Sequence, residues 1–132
     1  MSNQAPSGLK YTNDHEWAKV DGNDVAVGVT SFAVEQLGDI TLVNIDVKPG
    51  DEVVKGKSFG TIESVKTLSD LFAPVSGKVV KVNKELETKP ELVNEDCYGK
   101  AWMVVIACGG DRDLEALMDE KAYADFLKTA AH

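Results

Sequence analysis

The sequence predicts a mainly β domain of several short strands with closely spaced turns and short helices near both ends. Three observations lead there. Val25, Val27 and Val29 alternate with smaller residues, as Val43, Ile45 and Val47 alternate with polar ones, at the period of half-buried strands. Turn-forming clusters recur at short intervals: Asp21-Gly22-Asn23-Asp24, Lys48-Pro49-Gly50-Asp51, and Pro74 followed by Ser76-Gly77. Helical spacing is confined to short stretches.

In chain order, residues 1–8 form a polar tail and 9–132 a single domain. His15 to Val20 is a first strand, and the 21–24 turn leads into a second over Val25 to Val29. Ser31 caps a short helix that runs through Leu37 and ends at Gly38. Pro49 and Gly50 occupy the central positions of a type II turn. The 59–72 segment is ambiguous. Ile62, Val65, Ser69 and Phe72 fit a helical stripe, yet a hairpin closed by a type I turn also fits, and periodicity leaves both open.

Val80 and Val82 mark another strand. Thr88 and Glu91 have capping-box spacing around Pro90, which predicts a helix over 90–95. Trp102 to Ala107 reads as a buried strand ended by Cys108-Gly109-Gly110. Leu114, Leu117 and Met118, then Ala122, Tyr123, Phe126 and Leu127, have helical spacing, with Asp111 and Asp119 as caps. A weak internal echo links Gly50-Asp51-Glu52-Val53-Val54-Lys55 to Gly77-Lys78-Val79-Val80-Lys81.

Composition excludes several function classes. A net charge of −8 and a pI near 4.7 repel a phosphate backbone, so nucleic acid is not an expected partner. No stretch approaches the roughly 20 apolar residues that span a bilayer, so no membrane partner is expected. Cys97 and Cys108 have no metal-type spacing and read as reduced structural thiols. Two histidines, His15 and His132, cannot build a His-rich metal site. No phosphate-binding glycine motif or nucleophile elbow is present, and no catalytic set emerges from the 22 acidic residues.

One segment carries chemistry. Gly60-Thr61-Ile62-Glu63-Ser64-Val65-Lys66-Thr67-Leu68-Ser69-Asp70, continued by Ala73-Pro74-Val75-Ser76-Gly77, resembles the lipoyl-attachment motif of glycine cleavage system H proteins. Tyr11-Thr12, His15-Glu16-Trp17, Val27-Gly28-Val29-Thr30, Leu37-Gly38-Asp39-Ile40, Pro90-Glu91-Leu92-Val93-Asn94, Tyr98-Gly99 and Trp102 are similar to that family's other blocks, in the same order. The resemblance spans about residues 9–128. Cys97 departs from a common proline, Ala101 from a common glycine, and Thr67-Leu68 from a smaller pair.

The resemblance implies a small β-sandwich, the lipoyl/biotinyl-carrier-like barrel-sandwich hybrid, with Lys66 on a tight hairpin turn formed by Glu63, Ser64, Val65 and Thr67. It implies lipoate covalently attached to Lys66 and a carrier rather than an enzyme. Its partners would be glycine decarboxylase with pyridoxal phosphate, an aminomethyltransferase with tetrahydrofolate, dihydrolipoyl dehydrogenase and lipoate-attaching enzymes. Glu16 and Asp70 match positions near the loaded arm and become candidates to pair with a cationic aminomethyl amine, against the alternative of solvated surface charges. His15 and Trp17 are expected to serve packing. A monomer is expected, in the bacterial cytoplasm, or in the mitochondrial matrix for a processed eukaryotic chain. A lipoyl donor that relays lipoate to other proteins would carry the same motif. Lipoyl domains of 2-oxo acid dehydrogenases and biotin carriers differ from it at the residues flanking the lysine.

Overall fold

The computed structural model describes residues 9–12, 14–107 and 117–130. Two antiparallel sheets enclose the core. Strands β1 (Lys10–Tyr11), β2 (Glu16–Asp21), β3 (Asp24–Val29), β5 (Glu52–Val53), β8 (Gly77–Val82) and β9 (Val104–Ala107) form the larger sheet in the order β1-β2-β3-β9-β8-β5. Strands β4 (Ile40–Ile45), β6 (Ser58–Ser64) and β7 (Leu68–Phe72) form the smaller one in the order β4-β6-β7. Helix α1 (Ser31–Leu37) links β3 to β4, α2 (Glu85–Thr88) and α3 (Leu92–Glu95) lie between β8 and β9, and α4 (Glu120–Ala130) closes the described chain. This is the sandwich-like fold expected. No described helix is long and apolar enough to cross a membrane.

Alternation builds the core. Val25, Val27 and Val29 from β3 meet Val43, Ile62 and Leu71 from the smaller sheet, all nearly inaccessible. A second cluster of Tyr11, Trp17 and Tyr123 ties α4 to the β1–β2 edge, with the two tyrosine rings stacked 4.7 Å apart. Trp17 packs as expected and donates its indole N–H to the Cys97 carbonyl at 2.8 Å. Gly28 lies beneath it, where an added Cβ would come within 2.5 Å of the ring.

The turns follow their residues. Gly22, at φ 63°, takes the first central position of the β2–β3 turn. Gly50, at φ 99°, takes the second central position of a turn closed by the Asp51 N–H on the Lys48 carbonyl. The two segments of the internal echo pair with each other, Glu52 opposite Lys78 and Val53 opposite Gly77.

Several expectations need correction. Thr30, not Ser31, caps α1: its hydroxyl accepts from the Ala33 N–H. Gly38 ends the helix as expected, at φ 83°. The helix expected over 90–95 is two single turns. Thr88 closes α2 by bonding the Glu85 carbonyl, so it is spent before Pro90, and α3 starts only at Leu92 without a side-chain cap. Val47 lies beyond β4, packed against the core. In β8 a register shift between Val79 and Lys81 leaves Val80 38% exposed, so Val79 faces the core instead.

Met118 forms a β-bridge with Tyr11 rather than a helical turn. Asp119 caps α4 as expected, its carboxylate accepting from the Ala122 N–H. The tail 1–8, Cys108, Asp111, Leu114 and His132 lie outside the described residues. Of the family departures, Ala101 is fully buried in the main core and Cys97 is half-buried.

Candidate functional site: a lysine turn beside a groove

The ambiguous 59–72 segment is a hairpin. Strands β6 and β7 pair in register from Thr61 opposite Asp70 to Glu63 opposite Leu68, and the chain reverses over Ser64–Val65–Lys66–Thr67. The turn holds no glycine, proline or asparagine. Ser64 replaces their chemistry. Its hydroxyl accepts from the N–H groups of Lys66 and Thr67, both at 3.1 Å, and donates to the Thr67 carbonyl at 3.3 Å. The Ser64 N–H donates to that same carbonyl at 2.8 Å.

A second layer anchors the turn. The Val65 N–H donates to the Asp39 carbonyl at 3.0 Å. Asn94 of α3 holds both sides of Asp39, its amide donating to the Gly38 carbonyl at 3.0 Å and its oxygen accepting from the Ile40 N–H at 2.9 Å. Glu63, Val65, Lys66, Thr67 and Leu68 are exposed on this frame, whereas Ser64 is buried. The Lys66 stem passes over Gly38: a Cβ there would stand 3.4 Å from Lys66 Cε and 3.8 Å from Nζ. Sequence reading missed Gly38, Asp39 and Asn94 as supports of the lysine, although each lies in a block that matched the family.

A groove of about 150 Å³ runs between α1 and the free edge of β7. Ala33, Gln36 and Leu37 line one wall, Ser69, Asp70 and Leu71 another, and Asp14, His15 and Glu16 lie in its lining too. Both arm-contacting candidates, Glu16 and Asp70, therefore line one groove. Their settings differ: Glu16 is buried, whereas Asp70 is an exposed surface charge.

Glu16 is only 2% exposed. Its Oε2 accepts from the Phe72 N–H at 2.7 Å, which bridges β2 of one sheet to the edge of the other, while Oε1 is buried with no partner. Burial pushes its pKa up to about 8, opposed by the Phe72 N–H and reinforced by the nearby charge of Asp14. Asp70 is exposed and pairs with Thr61 on the outward face of the hairpin. Since Phe72 turns its N–H away from β6, alternation turns the backbone of Asp70 the same way, so the peptide groups of Asp70 face the groove.

His15 also departs from simple packing. Its φ of 66° makes it the one described non-glycine residue in the left-handed region. Its ring contacts Phe32 and Phe126, and its Nδ1 lies 2.9 Å from the Tyr123 hydroxyl. Burial lowers its pKa, against the opposing effect of Asp14.

A larger hollow of about 510 Å³, lined by residues including Tyr11, Lys55, Pro74 and Phe126, shares Asp14 and Glu16 with the groove, and neither is lined by a residue of Ser64–Thr67. No cluster of three or more metal-ligating side chains occurs among the described residues.

The arrangement offers an accessible primary amine on a stiff turn beside a narrow cleft containing a buried, half-satisfied carboxyl. Comparison with known proteins points to one family. The sequence profile described as Glycine cleavage H-protein matches residues 9–130. A glycine cleavage system H protein of Anaeromyxobacter sp. (strain K) is 50% identical over 126 residues, covering 95% of this chain and 97% of that one. That of Staphylococcus saprophyticus is 49% identical over 122 residues, covering 92% and 96%. The crystal structure of a glycine cleavage system H protein from Mycobacterium marinum superposes with a TM-score of 0.83 at 37% identity, covering 92% of this chain and 98% of that one. With the fold and nearly the full length of these relatives in agreement, the chain belongs to the glycine cleavage H-protein family.

Proposed function

We propose that Lys66 is the lipoyl-attachment site and that the chain is the carrier of the glycine cleavage system. In this role it takes the aminomethyl group of glycine from the pyridoxal-phosphate decarboxylase to the tetrahydrofolate-dependent aminomethyltransferase, then presents the reduced arm to dihydrolipoyl dehydrogenase. The observation that carries the reading is the exposed Lys66 amine on a turn fixed by Ser64 and Asp39, its stem passing over Gly38 next to Leu37 of the groove wall. A fixed turn lowers the ordering cost each time an attaching enzyme docks.

The residues present fit a lipoyl group. The amine is open to acylation, and Glu16, which lines the groove, holds a buried Oε1 without a partner. Bound through an amide to Nζ, the group supplies a dithiolane whose sulfurs undergo thiol–disulfide exchange. The chain does the rest. Lys66 tethers the cargo at high effective concentration near each partner. Glu16 offers Oε1 to a cationic amine, and in its presence the carboxyl gives up its proton to become the counter-ion. The edge peptide groups of Asp70 add a carbonyl acceptor, while Leu37 and Leu71 keep water from the seated end.

Intact mass and peptide mapping of native material test this reading. One lipoyl group on the 60–77 peptide is expected, and Lys66→Arg should abolish both the modification and one-carbon transfer from glycine without loss of folding. Transfer that survives in Lys66→Arg would end the proposal.

A further inference from the structure

A chain of hydrogen bonds outside the lysine turn reaches the same groove. Its members come from three places in the sequence: Thr30 at the cap of α1, Tyr123 on α4 and His15 before β2. The Ala33 N–H donates to Thr30 Oγ1 at 3.3 Å. Thr30 Oγ1 lies 2.8 Å from the Tyr123 hydroxyl, which lies 2.9 Å from His15 Nδ1. The loop closes through the backbone, because the Thr30 N–H donates to the His15 carbonyl at 3.0 Å.

Each direction of donation along this chain leaves one donor over, and burial chooses between them. In one direction the Thr30 hydroxyl, which accepts from Ala33, gives its own proton to the Tyr123 oxygen. The Tyr123 proton then goes to His15 Nδ1. Nδ1 is thus an acceptor, and the imidazole proton sits on Nε2. This direction leaves over the Nε2–H of part-exposed His15, whereas the reverse leaves over the hydroxyl proton of Thr30, which is 0% exposed, so the first is favoured.

We propose that Tyr123 is a positioning residue for the carrier's groove: with Thr30 it fixes His15 as the neutral Nε2–H tautomer, so that the wall His15 contributes stays uncharged when a cationic amine is seated. This rests on the reading that the loaded arm lies in that groove. A protonated His15 would repel the amine and compete with it for Glu16. The groups that face His15 are Asp14 on its own segment, Thr30 and Phe32 from α1, Tyr123 and Phe126 from α4, and Glu16 with Asp70 in the groove lining. Asp14, Glu16 and Asp70 favour the imidazolium when ionised. Against them stand burial and a donor aimed at Nδ1, both of which disfavour it. Tyr123 also stacks on Tyr11, so its ring is anchored independently of its hydroxyl.

The test begins with the unmodified full chain, where the outcome does not depend on lipoate. Long-range proton–nitrogen correlation should find the His15 proton on Nε2, with His132→Gln separating the two histidines. Tyr123→Phe keeps the ring and removes the donor. It should raise the His15 pKa by roughly half a unit to one unit. Thr30→Val should raise it less, and Thr30→Ser should restore the native titration. An Nδ1–H tautomer, or an unchanged titration in Tyr123→Phe, overturns the inference.

The second arm uses the carrier loaded by the decarboxylase. Ammonia loss at pH 6 should be about twofold to fivefold faster in Tyr123→Phe, following the imidazolium fraction, and the gap should close by pH 8. If Glu16→Gln speeds the loss and Tyr123→Phe does not, the link from Tyr123 to the arm is wrong. If neither changes it, the seating of the arm in this groove is wrong and the inference falls with it.

Discussion

The Val65 N–H is bonded to the Asp39 carbonyl at 3.0 Å, so the turn that presents Lys66 is fastened to the segment leaving α1. Asn94 grips that segment on both sides of Asp39. The stiffness of the lysine turn is therefore partly set from α3, 28 residues further along the chain from Lys66 by numbering.

Asn94→Ala should expose this dependence. It removes the partners of the Gly38 carbonyl and the Ile40 N–H together, for an expected loss of about 2 kcal/mol in urea denaturation. The effect should also reach the turn: amide exchange of Val65 should quicken although the substitution touches no residue of β6 or β7. Unchanged exchange at Val65 would show that Asp39 is held without Asn94.

Ser64→Ala acts on the turn itself. It removes the acceptor shared by the Lys66 and Thr67 N–H groups, with an expected loss of about 1 kcal/mol. Lys66 remains exposed, so lipoate ligation should continue, with KM raised more than kcat is lowered. A fall confined to kcat would mean that Ser64 contacts the attaching enzyme's chemistry rather than ordering the turn.

The hairpin explains why local pattern could not find the site. Ile62 and Ser69 face inward as cross-strand partners, and the chain reverses over four residues with no glycine or proline. Spacing also permits a helix because the decisive interaction is a serine hydroxyl folded onto two N–H groups, which many sequences can make. Val25 to Val29, Gly22 and Gly50 were legible because periodicity and φ act within a few residues. The family motif identified the lysine turn where propensity did not. Glu16 was placed near the arm by resemblance, but its burial arises only when β2 meets the edge of β7, 56 residues away. The pairing of His15 with Tyr123 spans 108 residues and has no sequence signature.

Cys97 should be chemically quiet. Its thiol is half-buried and its pKa is pushed up to about 11, chiefly by burial, so little thiolate exists near neutrality. In a Cys108→Ser background, disulfide-exchange labelling of native Cys97 at pH 7.5 should run about a hundredfold slower than that of a free cysteine. Rapid labelling would show that the thiol is open to solvent and would reopen a chemical role for it.

Glu16 makes the clearest statement about pH. An unfolded glutamate loses its proton near pH 4.3, roughly, whereas the folded carboxyl holds it to about 8. Between those values the native chain binds a proton that the unfolded chain has released. The stability contributed at this site is therefore fully present below the unfolded value and is lost as pH rises through the folded one. Gln has no proton to lose and can still accept from the Phe72 N–H. Glu16→Gln should thus differ little from the native chain at pH 4.5. It should become the more stable of the two by an amount that grows to pH 8, on the order of a few kcal/mol. Urea denaturation at three pH values measures the gap, and a constant gap would mean that the native carboxyl is already ionised. Function should move the opposite way. A seated cation makes the carboxylate the favoured form, so replacing it with an amide removes the counter-ion and should speed ammonia loss from the loaded carrier. Greater stability together with a shorter-lived cargo separates a group retained for its ligand from one retained for the fold.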